Sequence, residues 1–240
     1  MSTKNKNFGK MEDMSINIPK SYFVDICERL DKACEENNAK PILIGGRAIN
    51  LYCFKDTRPT NDMDFVLKLS DATVLENLKN DFTFNSLEVR FNSNGKEFNL
   101  LDLETGVKID IYYSRPINNF PLEHVTKYSI TYPIQLNHET HNISIASIPT
   151  LVVLKLYTGR EKDREDVYHL IKNNYIDLKQ FIEDEKTRIE FNDIEKEMMH
   201  DFRYSKKEIE KQLNFIINNF DEYKYDTQFV CNIAKKKRFS

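Results

Sequence analysis

The chain has 240 residues, 40% of them hydrophobic, with 16 Phe and 12 Tyr, enough apolar material for one large domain or two small ones. Charged residues make up 30% but nearly cancel, to a net charge of -3; this excludes the strongly basic field of a general nucleic-acid binder, though not a local basic groove. No run of about 18 apolar residues offers a membrane span, the polar N-terminus lacks the apolar stretch of a signal peptide, and Cys27, Cys34, Cys53 and Cys231 form no Cys-x-x-Cys pair, so a cytoplasmic location with reduced thiols is expected.

Residues 1–17 are polar and rich in Lys, Asn and Ser, and are expected to be a loose N-terminus. Phe23, Ile26, Cys27, Leu30, Ala33 and Cys34 then recur at helical spacing. The two cysteines lie on that apolar stripe, which points to a core role. Pro41 to Ile44 is a short apolar run ending at Gly45-Gly46, followed by a helical turn at Ala48, Leu51 and Tyr52. Arg58 to Asn61 reads as a loop, and Met63 to Leu67 as a strand. Ser70 or Asp71 is placed to cap a helix through about Lys79.

Phe98 to Leu103 and Val107 to Tyr113 form two predicted strands around the hairpin signal Glu104-Thr105-Gly106. Tyr128 to Leu136 and Ile143 to Ser147 predict two more, with Pro133 arguing for a sheet edge. From Pro149 the pattern is helical: Leu151 to Tyr157, Glu165 to Ile171, Leu178 to Ile189 and Ile209 to Phe220. A boundary is therefore expected near 149, dividing a mixed α/β domain over 18–148 from a helical bundle over 149–240. The terminal Lys235-Lys236-Lys237-Arg238 reads as a solvated tail.

Chemistry is concentrated in three carboxylates. Side chains alternate along a strand, so Asp62 and Asp64 point one way while Met63, Phe65 and Leu67 point into a core. By the same rule Asp110 lies opposite Val107, Ile109 and Ile111. Were the two strands neighbours, three carboxylates would face one spot, because cross-strand neighbours come within roughly 4.5–5.5 Å. Such groups repel one another unless a cation joins them, and an all-oxygen set suits a hard divalent ion such as Mg²⁺. The Gly45-Gly46 turn between strand and helix allows a phosphate to approach backbone N–H groups at a helix N-terminus. The five histidines, His124, His138, His141, His169 and His200, make no His-x-x-x-His pair, which argues against a zinc site.

The order strand, Gly-Gly turn, helix, loop, Asp-x-Asp strand and later single-Asp strand resembles the nucleotidyltransferase superfamily of the polymerase-beta-like fold. More narrowly, Gly45-Gly46-Arg47-Ala48 followed by Arg58-Pro59-Thr60-Asn61-Asp62-Met63-Asp64 is similar to the AbiEii family, the nucleotidyltransferase toxins of type IV toxin–antitoxin and abortive-infection systems. Pro149-Thr150-Leu151 leading to Lys155, and Lys162-Asp163-Arg164-Glu165-Asp166, resemble that family's later lysine helix and Lys-Asp-x-x-Asp segment. The likeness spans roughly Ile42 to Leu170.

The resemblance implies an α+β fold, a mixed sheet with flanking helices joined to a C-terminal helical bundle. It implies transfer of a nucleotide from an NTP to an acceptor that is RNA or tRNA, a protein or a small molecule, with Mg²⁺ or Mn²⁺ as cofactor and a cognate antitoxin as partner. Asp62, Asp64 and Asp110 would hold the metal, Asp110 also helping to deprotonate the acceptor. Gly45 and Gly46 would cradle the phosphates, with Arg58 and Thr60 orienting the loop or touching phosphate. Lys155 would neutralise triphosphate charge, and Asp163 or Asp166 would position Lys155, the base or the acceptor. A charge in the otherwise apolar Leu151 to Leu156 must in any case snorkel or find a partner. The sequence departs from the superfamily in having no Ser at the turn. Arg47 either supplies a phosphate contact in its place or weakens catalysis. The alternatives are an aminoglycoside or lincosamide nucleotidyltransferase, a catalytically silent nucleotide- or partner-binding relative, and a metal-dependent nuclease.

Overall fold

A computed structural model of the chain describes residues 18–53, 60, 62–69, 74–91, 97–113, 117 and 120–220. The expected loose N-terminus, Arg58, the Ser70 or Asp71 cap and the basic tail lie outside them. The first half runs α1 (Lys20–Glu35), β1 (Lys40–Ile44), α2 (Gly45–Tyr52), β2 (Asp62–Lys68), α3 (Val74–Phe84), β3 (Leu87–Phe91), β4 (Glu97–Asp102), β5 (Lys108–Tyr112), α4 (Leu122–Lys127), β6 (Ile130–Leu136) and β7 (Glu139–Ile145). Then come α5 (Ile148–Thr158), α6 (Glu161–Asn174), α7 (Leu178–Glu183) and α8 (Glu185–Glu197), a short 3₁₀ turn at Phe202–Tyr204, and a last helix over 206–220. This is the mixed sheet with flanking helices that the resemblance implied, followed by helices alone.

One seven-stranded sheet, ordered β3-β4-β5-β2-β1-β7-β6, organises the molecule. β2 pairs antiparallel with β1 and parallel with β5, and β7 lies parallel to β1. β6 is an edge strand, where Pro133 can be accommodated. Met63, Phe65 and Leu67 are buried, as are Val107, Ile109 and Ile111, so each carboxylate strand sends its apolar side into the core. α1 buries the predicted stripe, both cysteines included.

α5 is apolar on nearly every side, with Leu151 to Lys155 all buried, the signature of a helix enclosed by protein. Its ends follow from local chemistry. Ser147 accepts from the Thr150 amide at 3.2 Å, Pro149 sits in the first turn, and Gly159 closes the helix at φ 63°. Buried Glu190 on α8 accepts from Ser147 Oγ at 2.5 Å and from Thr150 Oγ1, so one carboxylate ties the start of α5 to the helices that follow.

Three elements differ from expectation. β3 and α4 were not anticipated, being short pieces of five and six residues. The helix expected over Leu178 to Ile189 is two helices, because Asp184 ends α7 and caps α8. Its carboxylate accepts from the Thr187 amide at 3.0 Å and from Thr187 Oγ1 at 3.2 Å. The apolar pattern runs through the break because Phe181, Phe191 and Ile194 all enter the core. Asp184→Ala is expected to cost about 1 kcal/mol, the usual worth of an N-cap, read as a lowered urea midpoint; an unchanged midpoint would mean the joint holds without its cap.

Candidate active site

The sheet register builds the site. Asp64 stands opposite Asp110 on the parallel β2–β5 pair, and opposite Ile44 on β1. Asp62 lies two residues earlier on the same side of β2. Gly45 follows Ile44 at once, in the left-handed region at φ 68°. A Cβ on Gly45 would collide with the Asp64 carboxyl oxygen and lie 2.9 Å from its Cγ. The glycine is thus required by the carboxylate beside it as well as by its own backbone. α2 begins there with Ile44 at its N-cap, which has no side-chain oxygen to cap the first N–H groups.

Charge crowding shows in the titration of Asp64. Burial, then the neighbouring charges of Asp62 and Asp110, push its carboxyl from 3.8 up to about 7, against the pull of Lys155 and Lys108. Each flanking carboxylate has a polar partner. Thr60 Oγ1 donates to Asp62 at 2.8 Å. Asn99, facing Asp110 across the β4–β5 hairpin, donates to it, and Lys108 Nζ approaches it at 2.8 Å. Among the described residues no three His, Cys, Asp or Glu side chains are gathered as a ligand set; Asp62 and Asp110 are each engaged with a neighbour instead.

Helices α5 and α6 supply the cations. Lys155, buried, contacts Asp163 at 3.0 Å and Asp166 at 2.7 Å, the partners that its apolar helix required. Asp163 also accepts from Thr158 at 2.6 Å and from Arg160 at 2.6 Å. Burial alone would raise Asp163, but Arg160, Thr158 and Lys155 together hold it at about 2. Asp163 therefore stabilises the fold above 3.8, and that contribution is lost as the pH falls toward 2. The field of Lys155 reaches Asp64, as does that of Arg160, so the helical region faces the carboxylates electrostatically. Lys155→Met is expected to destabilise the chain by about 3 kcal/mol, the scale of removing one member of a buried charge network. A loss below about 1 kcal/mol in urea denaturation would show that the cluster behaves as exposed pairs do.

Arg47 stands behind Thr60. It is 8% exposed, its Nη2 donates to the Thr60 carbonyl at 2.9 Å, the charge of Asp62 acts on it, and it also lines a cleft against α1 and β6. Gly46 is buried in the first turn of α2. The residues missed in the sequence are Asn99, Lys108, Thr158 and Arg160. Lys108 was accessible by alternation from Asp110, and Asn99 by counting back across the hairpin. Arg160 belongs to a joint whose charge pattern resembles any solvated helix start.

No family model matches the sequence, and no curated protein does. Among solved structures, the chain is similar to an antigenic nucleotidyltransferase-like protein from Paracoccidioides brasiliensis, with 12% identity and a TM-score of 0.47 over 76% of this chain and 91% of that one. It is similar to the antibiotic-resistance factor ANT(2'')-Ia, with 13% identity and a TM-score of 0.46 over 76% and 97% of the two chains. A third likeness is to the lincosamide antibiotic adenylyltransferase LnuA, with 16% identity and a TM-score of 0.42 over 64% and 97%. No helix among the described residues is long and apolar enough to cross a membrane.

Proposed function

We propose that the chain is a metal-dependent nucleotidyltransferase, moving a nucleoside monophosphate from an NTP to a hydroxyl acceptor. The observation that carries this reading is the pairing of Asp64 with Asp110 across parallel strands, directly beside a left-handed glycine whose missing Cβ leaves room for the Asp64 carboxylate. The donor set fits a hard divalent cation, Mg²⁺ or Mn²⁺. It is all oxygen, and the burial and then the repulsion from Asp62 and Asp110 that lift Asp64 are both costs a bound cation relieves. Asp62, Asp64 and Asp110 would hold it, in competition with Thr60 and Lys108. When bound, such an ion screens the triphosphate and lowers the acceptor hydroxyl's pKa.

The chain's own residues do the positioning. Gly45 and Gly46 let the phosphates approach the uncapped start of α2. Lys155, fixed by Asp163 and Asp166, sets positive potential opposite the carboxylates. Asp110 takes the acceptor proton, the acceptor oxygen bonds to the α-phosphorus, and pyrophosphate leaves. Thr60 orients Asp62, and Arg58 would touch phosphate. The finer reading is an AbiEii-like toxin of the cytoplasm, with RNA or tRNA as acceptor held by a helical domain from residue 149 and an antitoxin as partner. Its support is the set of motifs from Gly45 to Asp166.

Release of pyrophosphate from each of the four NTPs, with Mg²⁺ or Mn²⁺ and total RNA, tests the reading; label must move to RNA and be lost in a variant with Asn at positions 62 and 64. A second reading, a binding protein that transfers nothing, is favoured by the hold of Asn99 and Lys108 on Asp110. Saturable NTP binding without transfer to RNA, protein or small hydroxyl compounds selects it.

A further inference from the structure

We propose that the cleft between the start of α1, α2 and the edge strand β6 is a second binding site, taking a small molecule with an apolar body and one carboxylate. The cleft is about 470 Å³, within the roughly 300–1,000 Å³ of small-molecule sites. Phe23, Leu51, Tyr132 and Ile134 give it apolar walls, Lys20 and Arg47 give it two cations, and no Asp or Glu among the described residues lines it.

Arg47 sets the ligand's charge. The residue is nine-tenths buried, yet among the described residues its Nε has no hydrogen-bond acceptor. Nη2 donates to the Thr60 carbonyl, and among the described residues no carboxylate makes an ion pair with it, Asp62 acting on it only through its field. An unmatched buried donor on a buried cation is a costly arrangement, and a ligand carboxylate would supply the missing acceptor with a charge-assisted bond. The Tyr132 hydroxyl cannot serve as a competing donor, because it is committed to the Leu51 carbonyl at 2.8 Å. Lys20, Asn50 and Gln135 line the cleft as well, but Arg47 is the lining residue with an unmatched buried donor, and the ligand's carboxylate is directed to it. None of the three carboxylates of the candidate active site lines this cleft, so the inference goes beyond the transferase reading and stands without it.

Isothermal titration of the full chain with naphthoate, and with the neutral naphthalene methanol and the cationic naphthyl methylamine, tests the site. Naphthoate is expected to bind once per chain, about tenfold or more tighter than the alcohol, with the amine not binding. Arg47→Met should weaken naphthoate about tenfold or more by removing the charge while keeping an apolar stem. Gln135→Trp, at an exposed position on the cleft's rim, should block binding with Arg47 intact, and keeps the test valid if the Arg47 variant fails to fold. Equal affinity for acid and alcohol, binding unaffected by Gln135→Trp, no saturable naphthoate binding, or displacement of naphthoate by ATP would each overturn the proposal. The last would assign the cleft to the nucleotide.

Discussion

Asp64→Asn is expected to abolish nucleotide transfer and, in the cation-free protein at pH 8, to raise thermal stability. The two effects share one cause. Asp64 is a carboxylate forced into a crowded, half-buried place, where the folded chain binds its proton up to about pH 7 rather than 3.8. A group raised in this way stabilises the fold below 3.8, and that contribution is lost as the pH climbs through 7. At pH 8 the folded state carries the charge at a cost of at most about 4 kcal/mol, less after allowance for the partial exposure of the side chain and for solvent screening. Asn has no charge to lose. The variant should therefore be about 1–3 kcal/mol more stable at pH 8 and should lack the fall in stability between pH 4 and 7. Mg²⁺ should reverse the order, stabilising the native chain and leaving the variant unmoved. Transfer should fall by about three orders of magnitude, the scale of deleting one electrostatic element of a preorganised site. A variant less stable at pH 8 without cation would contradict the crowding, and one with full transfer would remove Asp64 from the chemistry.

Gly45→Ala is expected to damage both fold and activity, and Gly106→Ala supplies its control. Both glycines have left-handed φ, 68° and 73°. An alanine in that region costs about 1–2 kcal/mol from backbone strain alone. Around Gly106 a Cβ meets nothing within 4 Å, whereas at Gly45 it runs into the Asp64 carboxylate. Gly106→Ala should therefore lose about 1 kcal/mol and keep its activity. Gly45→Ala should lose about 3 kcal/mol or more, since overpacking adds to the strain, and should lose activity because Asp64 is pushed aside. Chemical denaturation of both proteins, with pyrophosphate release beside it, separates the terms. Equal losses in the two variants would show that Asp64 yields without cost.

Much of this arrangement is legible in the sequence because strands alternate. The spacing of Asp62, Asp64 and Asp110 against Met63, Phe65, Ile109 and Ile111 gives the right faces without any knowledge of the sheet, and Lys155 in an apolar helix calls for a partner on energetic grounds. The neighbours of the carboxylates are less accessible. Whether Asp64 faces Asp110 depends on which strands pair, and β2 joins β5 across two intervening strands of sequence. What Arg47 meets depends on the tertiary approach of the Thr60 carbonyl and of the cleft walls from α1 and β6. β3 does alternate, Leu87 and Val89 against Glu88 and Arg90, but five residues at a sheet edge carry little pattern. The break at Asp184 was written in Asp184-Glu185-Lys186-Thr187, a capping signal outweighed by an apolar period that crosses it.

The joint between α5 and α6 has one more consequence. Only Gly159 and Arg160 separate the two helices. Gly159 is spent on a left-handed turn, and Arg160 on its ion pair with Asp163. Most connections on a protein surface accept extra residues at small entropic cost. Here an added residue before Asp163 would swing its side chain about 100° around the helix axis, away from Lys155. The length of this connection is therefore held as tightly as its composition, and in a library of single-residue insertions along the chain, residues 159–163 should stand out as a gap among the folded survivors.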